Sequence, residues 1–149
     1  MSIYATNKRA RADYQLHDTF VAGIKLSGAE VKSVKKGGMR LLGAYVTLHN
    51  GQASLVNAHI AAYKPAGPQP DYDPTRSRPL LLKRSELRTI VGQLNQKGLT
   101  LVPLRAIGVR NLIKIEFAVG RGKRQYEKRD VLRKREADRT INRALRRRR

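Results

Sequence analysis

Hydrophobic and polar positions alternate along several stretches of the chain, and the period changes from one stretch to the next. Phe20, Ala22, Ile24 and Leu26 alternate with Val21, Gly23 and Lys25, the period of a strand with one buried face. The alternation stops at Ser27-Gly28-Ala29-Glu30, which reads as a capping box with Ser27 at the N-cap and Glu30 three residues on. Gly37-Gly38 predicts the end of that short helix, whose face carries Lys32, Lys35 and Lys36. Residues 45 to 49 and 52 to 56 flank Asn50-Gly51, a strong hairpin signal because both turn positions need positive φ. Leu87, Ile90, Val91 and Leu94 recur at helical spacing within 82–97, and Gly98 follows as a stop. Leu99, Leu101 and Pro103 then alternate with Thr100, Val102 and Leu104. Ile113, Ile115, Phe117 and Val119 alternate with Lys114, Glu116 and Ala118, with the turn at 108–111. This places Lys114 on the face away from the core.

Between and beyond these elements the pattern lapses. Residues 7 to 13 read as a short basic arm carrying Lys8, Arg9 and Arg11. Residues 61 to 79 hold five of the six prolines, a density that predicts neither a helix nor a central strand. A loop of that length is usually functional or mobile; Arg76 and Arg78 fit either a contact to a polyanion such as RNA or, equally, a solvated connector. From Arg121 onward the chain holds fourteen Lys and Arg against four Asp and Glu, a net of +10. Ala137, Ile141 and Leu145 share a helical face there, but Val131 and Leu132 lie off it, too little apolar surface for a stable packed helix. The expected division is a domain over 1–120 and a basic tail over 121–149, disordered when free and ordering on a polyanion. A small antiparallel sheet removes its edges by closing, so the pattern predicts a mainly β fold, an OB-like closed antiparallel barrel with a helix before its last strands.

Charge narrows the partner. In 149 residues there are 32 Lys and Arg against 11 Asp and Glu, a net charge of +21. That imbalance costs self-repulsion unless a polyanion offsets it, and nucleic acid is the usual one. An anionic membrane surface is the competitor, but no apolar run approaches a bilayer span and the first residues contain no signal-like segment. Cysteine is absent, which fits a reducing cytoplasm. His17, His49 and His59 sit in unrelated segments without metal-ligand spacing, and no nucleophile elbow, P-loop or dinucleotide fingerprint occurs. The chain is therefore expected to hold no metal or cofactor and to act by binding, not catalysis.

Specific strings then point to a family. Asn7-Lys8-Arg9-Ala10, Ala22-Gly23, Glu30-Val31-Lys32-Ser33, Val56-Asn57-Ala58-His59-Ile60, Asp73-Pro74-Thr75-Arg76, the Leu80 to Leu82 triplet, Lys97 to Leu104 and Gly122-Lys123 occur in an order and spacing that resemble the SmpB (SsrA-binding protein, small protein B) family. The resemblance covers nearly the whole chain. It implies an oligonucleotide-binding barrel of about six strands with two to three helices packed on it. It also implies binding of the tRNA-like domain of transfer-messenger RNA (tmRNA), delivery to stalled ribosomes and rescue by trans-translation. The implied partners are tmRNA, small-subunit rRNA near the decoding centre and the tmRNA-bound elongation factor Tu complex. The protein is expected to be monomeric and to have no membrane partner. The tail would enter the vacant mRNA channel and become helical there.

The resemblance assigns tmRNA-facing roles to Asn7, Lys8, Arg9, Gly23, Lys32, Lys36, Arg76, Arg78, Leu81, Lys114, Arg121 and Lys123. It assigns ribosome contacts to Tyr126, Lys128, Arg129, Arg133, Lys134 and Arg135. Glu30 is read as a cap. Val21 departs from the family, in which a glutamate usually precedes the Ala-Gly pair; that contact is either lost or supplied by a neighbour such as Asp18. Pro79 stands where the family usually has a lysine, and Tyr126 where it often has a histidine. A tyrosine keeps a stacking face but loses the titratable nitrogen. Leu81 is equally explained by core packing, and Tyr45 first by cross-strand packing. The alternatives to the family reading are a structural ribosomal or ribosome-assembly protein, a general OB-type single-strand binder and a carboxylate nuclease. The few aromatics speak against the single-strand binder, which stacks bases on them.

Overall fold

The structure is a computed structural model in which residues 2–95 and 98–123 are described. The tail candidates Tyr126, Lys128, Arg129, Arg133, Lys134 and Arg135 lie outside the described residues, as does the expected order of that tail.

In chain order the elements are β1 (Ser2–Thr6), α1 (Ala10–Asp13), β2 (Tyr14–Ile24), α2 (Gly28–Lys35), β3 (Met39–Arg40), β4 (Tyr45–His49), β5 (Gln52–Val56), β6 (His59–Ile60), β7 (Arg78–Leu81), α3 (Arg84–Leu94), β8 (Leu99–Val109) and β9 (Leu112–Gly122). The large sheet runs β1-β8-β4-β5-β7-β2-β9, and β8 also pairs with β9. That last pairing closes a ring of six antiparallel strands, with β1 attached outside it along β8. The expected OB-like closed β architecture is what forms.

The predicted signals act where expected. Ser27 Oγ accepts from the Glu30 N–H at 3.2 Å while Glu30 Oε1 accepts from the Ser27 N–H at 2.9 Å, the reciprocal cap of α2. Asn50 and Gly51 take φ of 50° and 76°, closing the β4–β5 hairpin. Arg110 and Asn111 (φ 50° and 67°) do the same between β8 and β9. Inside the ring, Ile115, Phe117 and Val119 of β9 pack with Leu55, Leu80, Leu101 and Ile90, all at most 2 % exposed. The helical stripe of α3 is buried only at Ile90, while Val91 is 47 % exposed.

Four expectations need correction. The basic arm over 7–13 is structured: α1 buries Ala10 and Ala12 against the sheet, and β1 just before the arm pairs with β8. This cover explains why Val102 is buried together with Leu101 and Pro103, where alternation predicted it outside. The β8–β9 register also shifts between Pro103 and Arg105. Second, the sheet does not end at 120; β9 runs to Gly122, and Lys123 donates its N–H to the Asp13 carbonyl at 2.9 Å. Third, Pro79 lies in β7, inside the ring between β5 and β2, where its carbonyl accepts from Lys25 N–H at 3.0 Å. A four-residue strand paired over two positions on each side has few N–H groups to satisfy, so one missing donor is tolerated there. Fourth, the 61–79 segment is tied down by a 3-10 turn at Lys64–Ala66 and by the buried side chain of Arg78.

Candidate nucleic-acid interface

Register decides which predicted residues meet. Gly23 of β2 pairs with Leu81 of β7 on one side and Lys114 of β9 on the other, so the three stand in one row across the sheet. Val21, two residues back on the same face, is 41 % exposed, and Leu81 is 51 % exposed. Leu81 is therefore a surface leucine; core packing does not explain it. Its neighbour Leu80 takes the core position at 2 %.

The row lines an open cleft of about 690 Å³, completed by Leu82, Lys83, Ser85 and Glu86 from the start of α3. Gly23 sits at its floor with no positive φ. A Cβ there would meet the Leu81 Cβ at 3.4 Å, an ordinary contact. Neither a positive φ nor a steric clash demands glycine at this position.

Glu116 stands directly opposite Val21. Arg105 of β8 holds its carboxylate, with Nε and Nη2 donating to Oε2 at 3.1 and 2.9 Å, and this raises the Arg105 pKa. Asp18 does not serve the cleft either. It accepts from Gln93 Nε2 at 2.7 Å and lines a different hollow with His17 and Arg121.

The arginines of the proline-rich segment turn inward. Arg78 is 0 % exposed and its guanidinium is fully engaged. Nε donates to Glu30 Oε2 at 2.8 Å, Nη1 to the Ala58 carbonyl at 2.8 Å, and Nη2 to the Pro74 carbonyl at 3.0 Å and the Tyr72 hydroxyl at 3.2 Å. Arg76 Nη2 pairs with Glu30 Oε1 and its Nε donates to Oε2 at 3.2 Å. The assignment of Arg78 to RNA is thus corrected, because a buried guanidinium reaches no phosphate. Arg76 is half-buried and committed to the same carboxylate. Glu30 is more than a cap. Burial alone would raise its pKa, but bonds from Arg76, the Ser27 N–H and Arg78 outweigh that and hold it at about 2. Burial and the Glu30 charge push the Tyr72 hydroxyl pKa up.

The remaining candidates fall in separate places. Lys32 on α2 and Lys36 at its C-cap are exposed, with the Lys32 ammonium 5.8 Å from the Tyr63 ring centroid. Asn7 acts structurally, its Nδ2 donating to the Pro103 carbonyl at 2.9 Å. Lys8 and Arg9 beside it are exposed, and Arg9 pairs with Asp13 at 3.3 Å. Lys8, Arg11 and Lys123 edge a groove of about 830 Å³ between β1, α1 and β2. Lys123 also donates from Nζ to the Arg11 carbonyl at 2.8 Å. Arg121 is exposed at the end of β9. Tyr45 pairs with Val56 across the hairpin but remains 48 % exposed, so its ring is available for stacking. Among the described residues no group of His, Cys, Asp or Glu could hold a metal, and no helix is long and apolar enough to cross a membrane.

Sequence reading missed Glu86 and the Arg105–Glu116 pair. The signal for Glu86 was present: α3 begins three residues after Leu81, so its first turn has to stand over the end of β7.

The chain matches the family model described as SmpB protein over residues 4–147. It is 44 % identical to the SsrA-binding protein of Roseiflexus castenholzii, spanning 98 % of this chain and 92 % of that one. It is 42 % identical to the SsrA-binding protein of Nostoc punctiforme, spanning 96 % and 92 %. Among solved structures it is similar to a chain of "tmRNA-SmpB: a journey to the center of the bacterial ribosome", with 40 % identity, a TM-score of 0.67 and coverage of 86 % of this chain and 93 % of that one.

Proposed function

The chain belongs to the SmpB protein family, and from that premise we propose that it binds the tRNA-like domain of tmRNA and brings it to stalled ribosomes for trans-translation. The observation that carries this reading is the row Leu81–Gly23–Lys114, exposed at Leu81 and half-buried at Gly23 and Lys114, on a chain 40 % identical to one of the solved structure "tmRNA-SmpB: a journey to the center of the bacterial ribosome". A tRNA-like element is read by shape, backbone and unstacked bases, and the row offers apolar surface, an open backbone and one cation side by side. The exposed Lys8, Arg9, Lys32, Lys36 and Arg121, and the half-buried Lys123, supply further phosphate contacts. The segment from 124 onward, with Tyr126, Lys128, Arg129, Arg133, Lys134 and Arg135, takes the vacant mRNA channel and decoding region of the small subunit. In this scheme the protein is a cytoplasmic monomer that shares its RNA with elongation factor Tu, and it makes or breaks no bond itself.

Affinity capture of the tagged protein followed by RNA sequencing tests the reading. Strong enrichment of tmRNA over its share of total RNA is expected. Recovery of bulk rRNA without tmRNA would overturn it in favour of a resident ribosomal protein.

A further inference from the structure

Within the cleft, Glu86 is the carboxylate among the lining residues. It stands in the first turn of α3. Oε1 accepts from the Lys83 N–H at 3.1 Å, which fixes the side chain. That bond uses one lone pair of one oxygen, and among the described residues no other donor reaches the group. A cap alone would account for a carboxylate at this helix position. It would not account for one opening onto a cleft lined also by the exposed Val21 and Leu81, by Gly23 and Leu82, by the Ser85 hydroxyl and by the cations Lys83 and Lys114.

In a chain of net charge +21 almost any phosphate is attracted. A fixed carboxylate does the opposite: it repels phosphate and accepts only from donors. What lies against Glu86 in an RNA complex is therefore a base edge or a sugar hydroxyl. The flat apolar surface of Val21 and Leu81 suits a base face, which favours the base edge. Guanine presents N1–H and N2–H side by side, matched to the two oxygens of one carboxylate. Adenine and cytosine pair a single amino group with a ring acceptor that would face the second oxygen, and uracil flanks its N3–H with two carbonyls.

We propose that Glu86 is the specificity-determining acceptor of this cleft, taking the Watson–Crick edge of one unpaired guanine whose base lies on Leu81 and Val21 and whose phosphate lies on Lys114. The inference rests on the RNA-binding reading above and assigns the base class that its central site accepts.

The test is Glu86→Gln in the full chain, measured with the isolated tRNA-like domain RNA. Glutamine keeps an oxygen for the Lys83 N–H, and a thermal melt checks that the fold is retained. Kethoxal, which adds across N1 and N2 of unpaired guanine, reads the contact. The wild-type protein at saturation should protect at least one guanine that reacts in free RNA. Glu86→Gln should bind about tenfold more weakly and leave that guanine reactive even at saturation. Equal affinity of the two proteins, protection by saturating Glu86→Gln, or no guanine protected by the wild type would each overturn the assignment while leaving the RNA-binding reading intact. A wild-type protein that prefers the tRNA-like RNA no more than a plain hairpin of equal length would remove that reading, and the assignment with it.

Discussion

Glu30 shows how one side chain can hold a loop without touching the ligand. It caps α2, and through Arg76 and Arg78 it anchors the proline-rich segment to the helix. A buried ion pair is weak evidence of net stabilisation against an apolar replacement, but breaking one is costly because the partner is left charged and dry. Its pKa of about 2, against the ordinary 4.5, corresponds to a contribution of about 3 kcal/mol at neutral pH. A folded pKa below the unfolded one gives stability that is complete above about 4.5 and lost as pH falls towards about 2. Glu30→Gln should therefore lower the unfolding free energy by about 3–5 kcal/mol at pH 7. Urea unfolding at stepped pH should show the gap between variant and wild type narrowing across that acid window. A gap independent of pH would mean the carboxylate charge is not what holds the segment.

At the scale of elements, what the sequence made legible depended on whether the signal was local. The Ser27–Glu30 cap, the Asn50-Gly51 turn and the alternation from Ile113 to Phe117 each need only neighbouring residues and formed as read, whereas Ala118, expected outward, is buried like Phe117 and Val119 beside it. The structure of residues 2–13, including the arm read over 7–13, escaped because a short edge strand and a four-residue helix have little periodicity to show; β1 forms by pairing with β8, about a hundred residues away. Arg78 was misread for the same reason, since its neutraliser, Glu30, is 48 residues distant. The candidate row was half legible. Strand alternation placed Val21 and Lys114 outward, but only the register aligns Gly23 with both Leu81 and Lys114. A second glycine shows the local kind of constraint. The exit of α2 is pinned where the Gly38 carbonyl accepts from Ala61 N–H at 2.9 Å and Ser33 Oγ donates to the Ala61 carbonyl at 2.6 Å. A Cβ on Gly38 would lie 2.3 Å from that Oγ and 3.0 Å from the Ser33 carbonyl oxygen. Gly38→Ala should cost about 1–3 kcal/mol in unfolding free energy, with an accompanying fall in Tm. Gly23→Ala, which meets only ordinary contacts, should leave Tm nearly unchanged.

For the whole molecule, the division of charge sets the argument. Residues 124–149 carry twelve Lys and Arg against four Asp and Glu, a net of +8, leaving +13 on the rest. Both parts attract RNA, so bulk affinity at low salt cannot distinguish their roles. The ring of strands closes within residue 122, and Lys123 ties its end to Asp13 and Arg11. A cut after Lys123 removes the basic segment while sparing every strand among the described residues, whereas a cut at 120 would shorten β9. If the cleft row carries recognition and the C-terminal segment serves the ribosome, the 1–123 protein should bind the tRNA-like domain within about tenfold of the full chain at moderate salt. Its salt slope should be shallower, because each lost phosphate contact removes roughly 0.7–0.9 from it. The same truncation should abolish tagging of stalled nascent chains in a reconstituted translation system. Loss of tmRNA affinity on truncation, at an unchanged melting temperature, would place recognition in the segment beyond 123 and not on the sheet.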